Sequence, residues 1–200
     1  MGLAMRLMKM AATFLVGMMV VGSLPAMAQT TAFSFFPRPS NFGNGPKTGY
    51  ASGSPIPRQT VAFTGSYAPG TIVISTSERR LYLVQGNGTA LKYGIGVGRD
   101  GFSWSGVKNI TRKAEWPGWT PPPQMRQRVP GLPAYMPGGV DNPLGARAMY
   151  LGSSLYRIHG SNEPNTIGTA VSSGCFRMTN DDVTDLYGRV NVGTKVVVLR

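Results

Sequence analysis

Two hundred residues allow one domain with a real core plus a tail, and exclude two full domains. Lysine and arginine number 20 against 8 aspartate and glutamate, and the net charge of +12 favours anionic surroundings. One cysteine, Cys175, excludes an intramolecular disulfide, and one histidine, His159, confines imidazole chemistry to a single ring.

Residues 1–28 read as a signal peptide. Arg6 and Lys9 form a basic start, Ala11 to Leu24 an apolar stretch, and Ala26-Met27-Ala28 places small residues where a peptidase cuts, after Ala28. The alternative, an uncleaved anchor, needs about 20 apolar residues, and this run is shorter. No twin-arginine pair and no N-terminal cysteine for a lipid accompany it. The expectation is an exported protein of the periplasm or cell envelope, not integral to the membrane once the signal is removed. Export argues against nucleic acid as the partner of the basic surface, and no aromatic recognition motif or zinc finger is present. Cell wall, anionic headgroups and lipopolysaccharide are the polyanions left; simple solubility is the competing reason for the charge.

Residues 29–66 carry Pro37, Pro39, Pro46, Pro55 and Pro57 among Gly, Ser, Asn and Thr, with no period of 2 or 3.6. They read as a flexible tether or an irregular wrap, with Phe33, Phe35, Phe36 and Phe42 available for docking. From Tyr67 the texture changes. Thr71 to Ser75 and Arg80 to Val84 are β-branched and aromatic runs joined by Ser77-Glu78-Arg79 as a hairpin. Asn87-Gly88 marks a second turn, and Leu91 to Val97 a third strand.

Residues 98–146 are rich in Gly, Pro and Trp with little period, and are too long for a plain connector. They suggest a lid, with 101–140 as its body. Strands resume at Ala148 to Leu151 and Leu155 to His159. Asn180 then reads as the cap of a helix to about Arg189, with Asp181 and Asp182 at its positive end. Thr194 to Leu199 closes the pattern as a strand. The fold class is mainly β, a barrel or curved sandwich with one or two short helices. Residues 67–200 would form this domain.

His159 and Cys175 both adjoin glycine and lie sixteen positions apart. A free thiol is only a few per cent thiolate at neutral pH, and a neighbouring base raises that fraction. Gly174 permits a turn closed to other residues and leaves room for a substrate. The amides of Ser173, Gly174 and Cys175 can then face a developing oxyanion. Arg177, two residues on, either binds a substrate carboxylate or holds the site together. Metal binding is poorly served: no acidic pair is spaced to complete a site begun by one Cys and one His. Papain-like enzymes place Cys before His, and caspases need a separation near ~50 residues, so neither fits.

Ile158-His159-Gly160 followed by Ser172-Ser173-Gly174-Cys175-Phe176-Arg177-Met178 resembles the L,D-transpeptidase catalytic domain, also called the YkuD domain. Gly94 to Gly98, Thr111 to Lys113, Asn142 to Arg147, Met149 to Leu151 and the helix at Asn180 to Tyr187 extend the similarity over about 67–200. The resemblance implies a β-rich fold and an enzyme of peptidoglycan stem peptides without cofactor or metal. In such enzymes the thiolate attacks the bond between the third residue and the terminal D-alanine. A thioester forms, and an amine takes the acyl group: another stem's diamino acid, giving a 3→3 cross-link, or an envelope protein's lysine. Carried over, Cys175 is the nucleophile, His159 the base and the Gly160 carbonyl its orienter. Ser173, Gly174 and Cys175 form the oxyanion hole, with Tyr150 and Arg177 as substrate contacts. Some members have a second histidine at the position of Ser173, which is absent here. Residues 101–140, with Trp104, Trp116, Trp119 and Tyr135, either form a flap that excludes water or cap an open β-core with their aromatic rings. The competing readings are a sortase-like transpeptidase, which wants a larger His–Cys separation, and a wall-binding module that leaves the pair unused.

Overall fold

A computed structural model describes residues 53–200, so the signal-peptide expectation for 1–28 and most of the 29–66 segment lie outside the described residues. The first strand, Gln59–Ala62 (β1), falls at the end of that proline-rich segment and pairs antiparallel with Thr89–Gly94 (β4). Its residues are almost all exposed, which explains why no alternating pattern announces it. Just before it, the Ile56 side chain packs on two bare glycine surfaces, Gly94 and Gly168.

Ile72–Ser75 (β2) and Arg80–Gly86 (β3) form the expected hairpin, with Arg79 at a positive φ of 58° at its tip. The Asn87-Gly88 turn, with φ of 51° and 69°, delivers β4 back onto β3. Two successive positive φ values match the right-handed twist of the strands they join. The third strand is shorter than its sequence suggests, because the chain breaks at Ile95-Gly96. Gly96 turns away to exchange two hydrogen bonds with Arg177, each 2.9 Å. Val97–Gly98 (β5) then pairs with Ala170–Ser172 (β9) in a separate two-stranded ribbon.

The largest departure from the sequence reading is Gly106–Glu115 (β6), a ten-residue strand within the supposed lid. It lies between Arg147–Leu151 (β7) and Lys195–Leu199 (β11), so the excursions outside the sheet are two, 99–105 and 116–146. Only Ile110 of its ten residues is buried, and Lys108, Arg112 and Lys113 hide the period. Within 116–146 a short helix, Pro123–Arg128 (α1), and a two-way pairing of Trp119 with Met136 supply order.

Arg157–His159 (β8) and Phe176–Arg177 (β10) complete the strands, and the large sheet runs β1-β4-β3-β2-β11-β6-β7-β8-β10. Its edge strands β1 and β10 do not pair with one another, so the sheet is open and the barrel reading is corrected; the mainly-β class stands. Closure needs a continuous ladder with matched stagger, and a two-residue β10 offers little edge for one.

Alternate residues of these strands converge on one core: Ile72, Ile74, Leu81, Tyr93, Met149, Leu151, Ile158, Phe176, Val196 and Val198. The helix Asn180–Arg189 (α2) closes it with Val183 and Leu186, each burial being worth roughly 1.5–3 kcal/mol. Its cap is Thr179 and not Asn180: the Thr179 hydroxyl accepts from the Asp182 N–H at 3.2 Å. Asn180 begins the helix, and its side chain is used elsewhere.

Candidate active site

The strand register places the site. β7 and β8 are antiparallel with Ala148 opposite His159 and Tyr150 opposite Arg157. β8 and β10 are parallel, with Phe176 opposite Ile158 and Arg177 opposite His159. Cys175, one residue before Phe176, therefore falls beside Arg157. Ile158 and Phe176 are 0% and 1% exposed and point into the core. Side chains alternate along strands, so Arg157, His159, Cys175 and Arg177 share the opposite face. The same register runs from Arg112 through Tyr150 and Arg157 to Cys175 as one cross-strand row.

His159 is 4% exposed, and its Nδ1 lies 2.6 Å from the Gly160 carbonyl. A carbonyl only accepts, so the neutral ring carries its proton on Nδ1 and leaves the Nε2 lone pair for chemistry. Burial, reinforced by the positive charges of Arg177 and Arg157, pulls the imidazole down to about 3 against the opposing pull of the Gly160 and Pro143 carbonyls. The ring is neutral at ordinary pH. Ala148, small and fully buried, sits across from it on β7.

The Cys175 thiol donates to the Leu155 carbonyl at 3.6 Å. Burial raises its pKa, and the positive charge of Arg157 is the foremost influence in the other direction, ahead of that of Arg177. Before it, Gly174 has φ of 102°, and an added Cβ would lie 2.6 Å from Tyr156 Cε1. Ser172 Oγ stitches the turn, accepting from the Gly174 N–H at 3.1 Å and donating to the Cys175 carbonyl at 2.6 Å. The Gly174 amide is thus engaged within the loop. Ser173 is half-buried at its crest.

Arg177 is buried, and its Nη1 donates to Glu163 at 2.8 Å and to Thr166 Oγ1 at 3.5 Å. It braces the segment between β8 and the 3₁₀ turn Pro164–Thr166. Tyr150 is half-buried, with the guanidinium carbon of Arg112 3.6 Å and that of Arg157 5.3 Å from its ring centre.

Three side chains at the site were not singled out for these roles by the sequence. Trp104 leaves the supposed lid to donate its indole N–H to the Gly174 carbonyl at 2.9 Å, and its ring stacks on Tyr156 at 4.6 Å. Asn180 Oδ1 accepts from the Ala146 N–H at 2.9 Å and the Ser161 N–H at 3.3 Å, tying both sides of His159-Gly160 to the helix. Arg157 is the third. The remaining lid aromatics lie apart in character: Trp119 is buried, whereas Trp116 and Tyr135 are exposed.

Fold and site together define a mainly β-strand domain that presents a thiol and a neutral imidazole on one sheet face. The chain belongs to the L,D-transpeptidase catalytic domain family, YkuD, whose model matches residues 69–198. It is 41% identical over 137 residues to the probable L,D-transpeptidase ErfK/SrfK of Escherichia coli, an alignment covering 64% of this chain and 43% of that protein. It is 42% identical over 134 residues to the probable L,D-transpeptidase YbiS of the same organism, covering 62% and 43%. The chain thus spans less than half the length of these relatives. A solved L,D-transpeptidase from Mycobacterium smegmatis has a TM-score of 0.51 at 17% identity, covering 71% of this chain and 67% of that one, a likeness of fold.

Proposed function

We propose that this protein is an exported cysteine L,D-transpeptidase of peptidoglycan tetrapeptide stems. The observation that carries the reading is the parallel register of β8 and β10, which sets His159 and Cys175 on one face one strand apart. Family membership supplies the reaction class, and residues 1–28 supply the export signal.

In this reading the Cys175 sulfur attacks the carbonyl of the third stem residue and gives up its proton to His159. The amides of Ser173 and Cys175 receive the oxyanion, since Ser172 already holds that of Gly174. Collapse breaks the peptide bond, D-alanine leaves with the proton carried by His159, and a thioester remains. An amine then attacks, His159 takes its proton, and a new amide forms as the thiol is released. The Gly160 carbonyl keeps the ring in the tautomer this needs. Tyr150 is a stem contact, while Arg177 acts through the Glu163 pair as a positioning residue. The basic surface suits a wall rich in free carboxylates.

Purified protein incubated with tetrapeptide-stem muropeptides tests this by mass spectrometry, with Cys175→Ala as control. Loss of D-alanine with a cross-linked or lysine-linked product, absent in the variant, is the expected result. An unmodified thiol and intact stems, with binding retained, would point to a non-catalytic wall-binding module.

A further inference from the structure

We propose that Arg157 supplies the positive charge that accompanies the Cys175 sulfur when it ionises, leaving His159 to work as a proton carrier and not as a standing countercharge. The inference deepens the nucleophile assignment above and rests on it.

Geometry makes the case. Arg157 lies directly beside Cys175 in the register, on the same face, with one strand spacing between them. Arg177, the other cation acting on the sulfur, is committed to Glu163 at 2.8 Å, which offsets its charge. No carboxylate pairs with Arg157 among the described residues. Its Nε is buried and makes no hydrogen bond, and its positive charge favours the thiolate form of the sulfur. Such a group wants an anion, since a buried donor without an acceptor is costly. The sulfur is the reacting atom beside it.

Tyr150 completes the arrangement from β7. Its ring lies 5.3 Å from the guanidinium carbon of Arg157 and 3.6 Å from that of Arg112, its neighbours in the register on β8 and β6. This keeps Arg157 in the row that ends at Cys175. His159 makes a poor countercharge by comparison. Buried on the same face as two arginines, it holds a proton only near pH 3 and is neutral wherever the thiol titrates. The ring then acts transiently, picking up a proton as the sulfur bonds to carbon.

The experiment follows the rate of Cys175 alkylation by iodoacetamide against pH, in the wild type, Arg157→Gln, Arg157→Lys and His159→Gln. It needs no substrate turnover, so failure of the transpeptidase reading would not disturb it. Arg157→Gln should raise the apparent thiol pKa by about one unit, a tenfold slower reaction at neutral pH. Arg157→Lys should restore most of that shift, and His159→Gln should leave the thiol close to wild type. A rise in His159→Gln comparable to that expected for Arg157→Gln overturns the proposal, and this arm stands even where Arg157→Gln does not fold. So does an unshifted iodoacetamide profile in folded Arg157→Gln. A selective loss of reaction with anionic iodoacetate would in that case assign Arg157 to carboxylate binding.

Discussion

The indole Nε1 of Trp104 donates to the Gly174 carbonyl at 2.9 Å, so a residue 70 positions upstream grips the residue before the proposed nucleophile. The same ring stacks on Tyr156 and tilts against Phe176 at 5.5 Å. Trp104→Phe keeps an aromatic body and removes the donor. It should cost about 1 kcal/mol of stability and lower turnover through a looser Cys175 loop. Trp104→Ala should cost roughly 3–5 kcal/mol. Urea unfolding and stem-peptide turnover, measured side by side, separate the two; equal turnover in Trp104→Phe and wild type would remove the grip from the mechanism.

Gly174→Ala tests the turn itself. The backbone there has φ of 102°, and the new methyl would meet Tyr156 at 2.6 Å and the Phe102 carbonyl at 3.2 Å. The expected cost is roughly 1–3 kcal/mol from backbone strain alone, with loss of acyl-enzyme formation. Intact-mass measurement of the thioester is the readout. A folded variant that acylates at the wild-type rate would refute the claim that this conformation is required.

Asn180→Ala leaves the Ala146 and Ser161 N–H groups without their shared acceptor. A loss of roughly 1–3 kcal/mol follows, with a fall in activity because the Gly160 carbonyl that orients His159 is no longer fixed. Asn180→Asp keeps the acceptor and should recover most of the stability. Chemical denaturation of the three proteins decides it: equal loss in Ala and Asp variants would assign the effect to helix packing.

His159 also predicts a pH dependence. In the folded protein it protonates only at about 3, whereas in the unfolded chain it does so near ~6.5. The unfolded state therefore binds more protons between these values. Stability from the neutral ring is complete above ~6.5 and is lost as pH falls through that window, by up to about 1.4 kcal/mol per pH unit. Between pH 4 and 6 the wild type should lose stability more steeply than His159→Gln; parallel slopes in urea would contradict the buried neutral ring.

Cys175, His159 and Gly160 were legible because chemistry-bearing residues with glycine neighbours stand close together in one short stretch. The hairpins were legible for a similar reason, since Asn87-Gly88 writes its turn locally. β6 was not, because a strand with only Ile110 buried carries no alternation to read. Arg157 escaped notice because its place beside Cys175 depends on a parallel pairing formed across the intervening loop. Parallel register has no local signature. Asn180 looked like a cap, but its oxygen reaches back to Ala146, while Thr179 does the capping.

β11 joins β2 in parallel on one side and β6 antiparallel on the other. The hairpins from β1 to β4 and the strands that hold His159 and Cys175 are all earlier in the chain than this central strand. During synthesis each half can assemble locally, but the two cannot join into one large sheet until residues 195–199 arrive. Such late, long-range pairing makes folding slow. It also means that one five-residue strand is the seam of the large sheet, with the hairpins on one side and the strands that carry His159 and lead from Cys175 on the other.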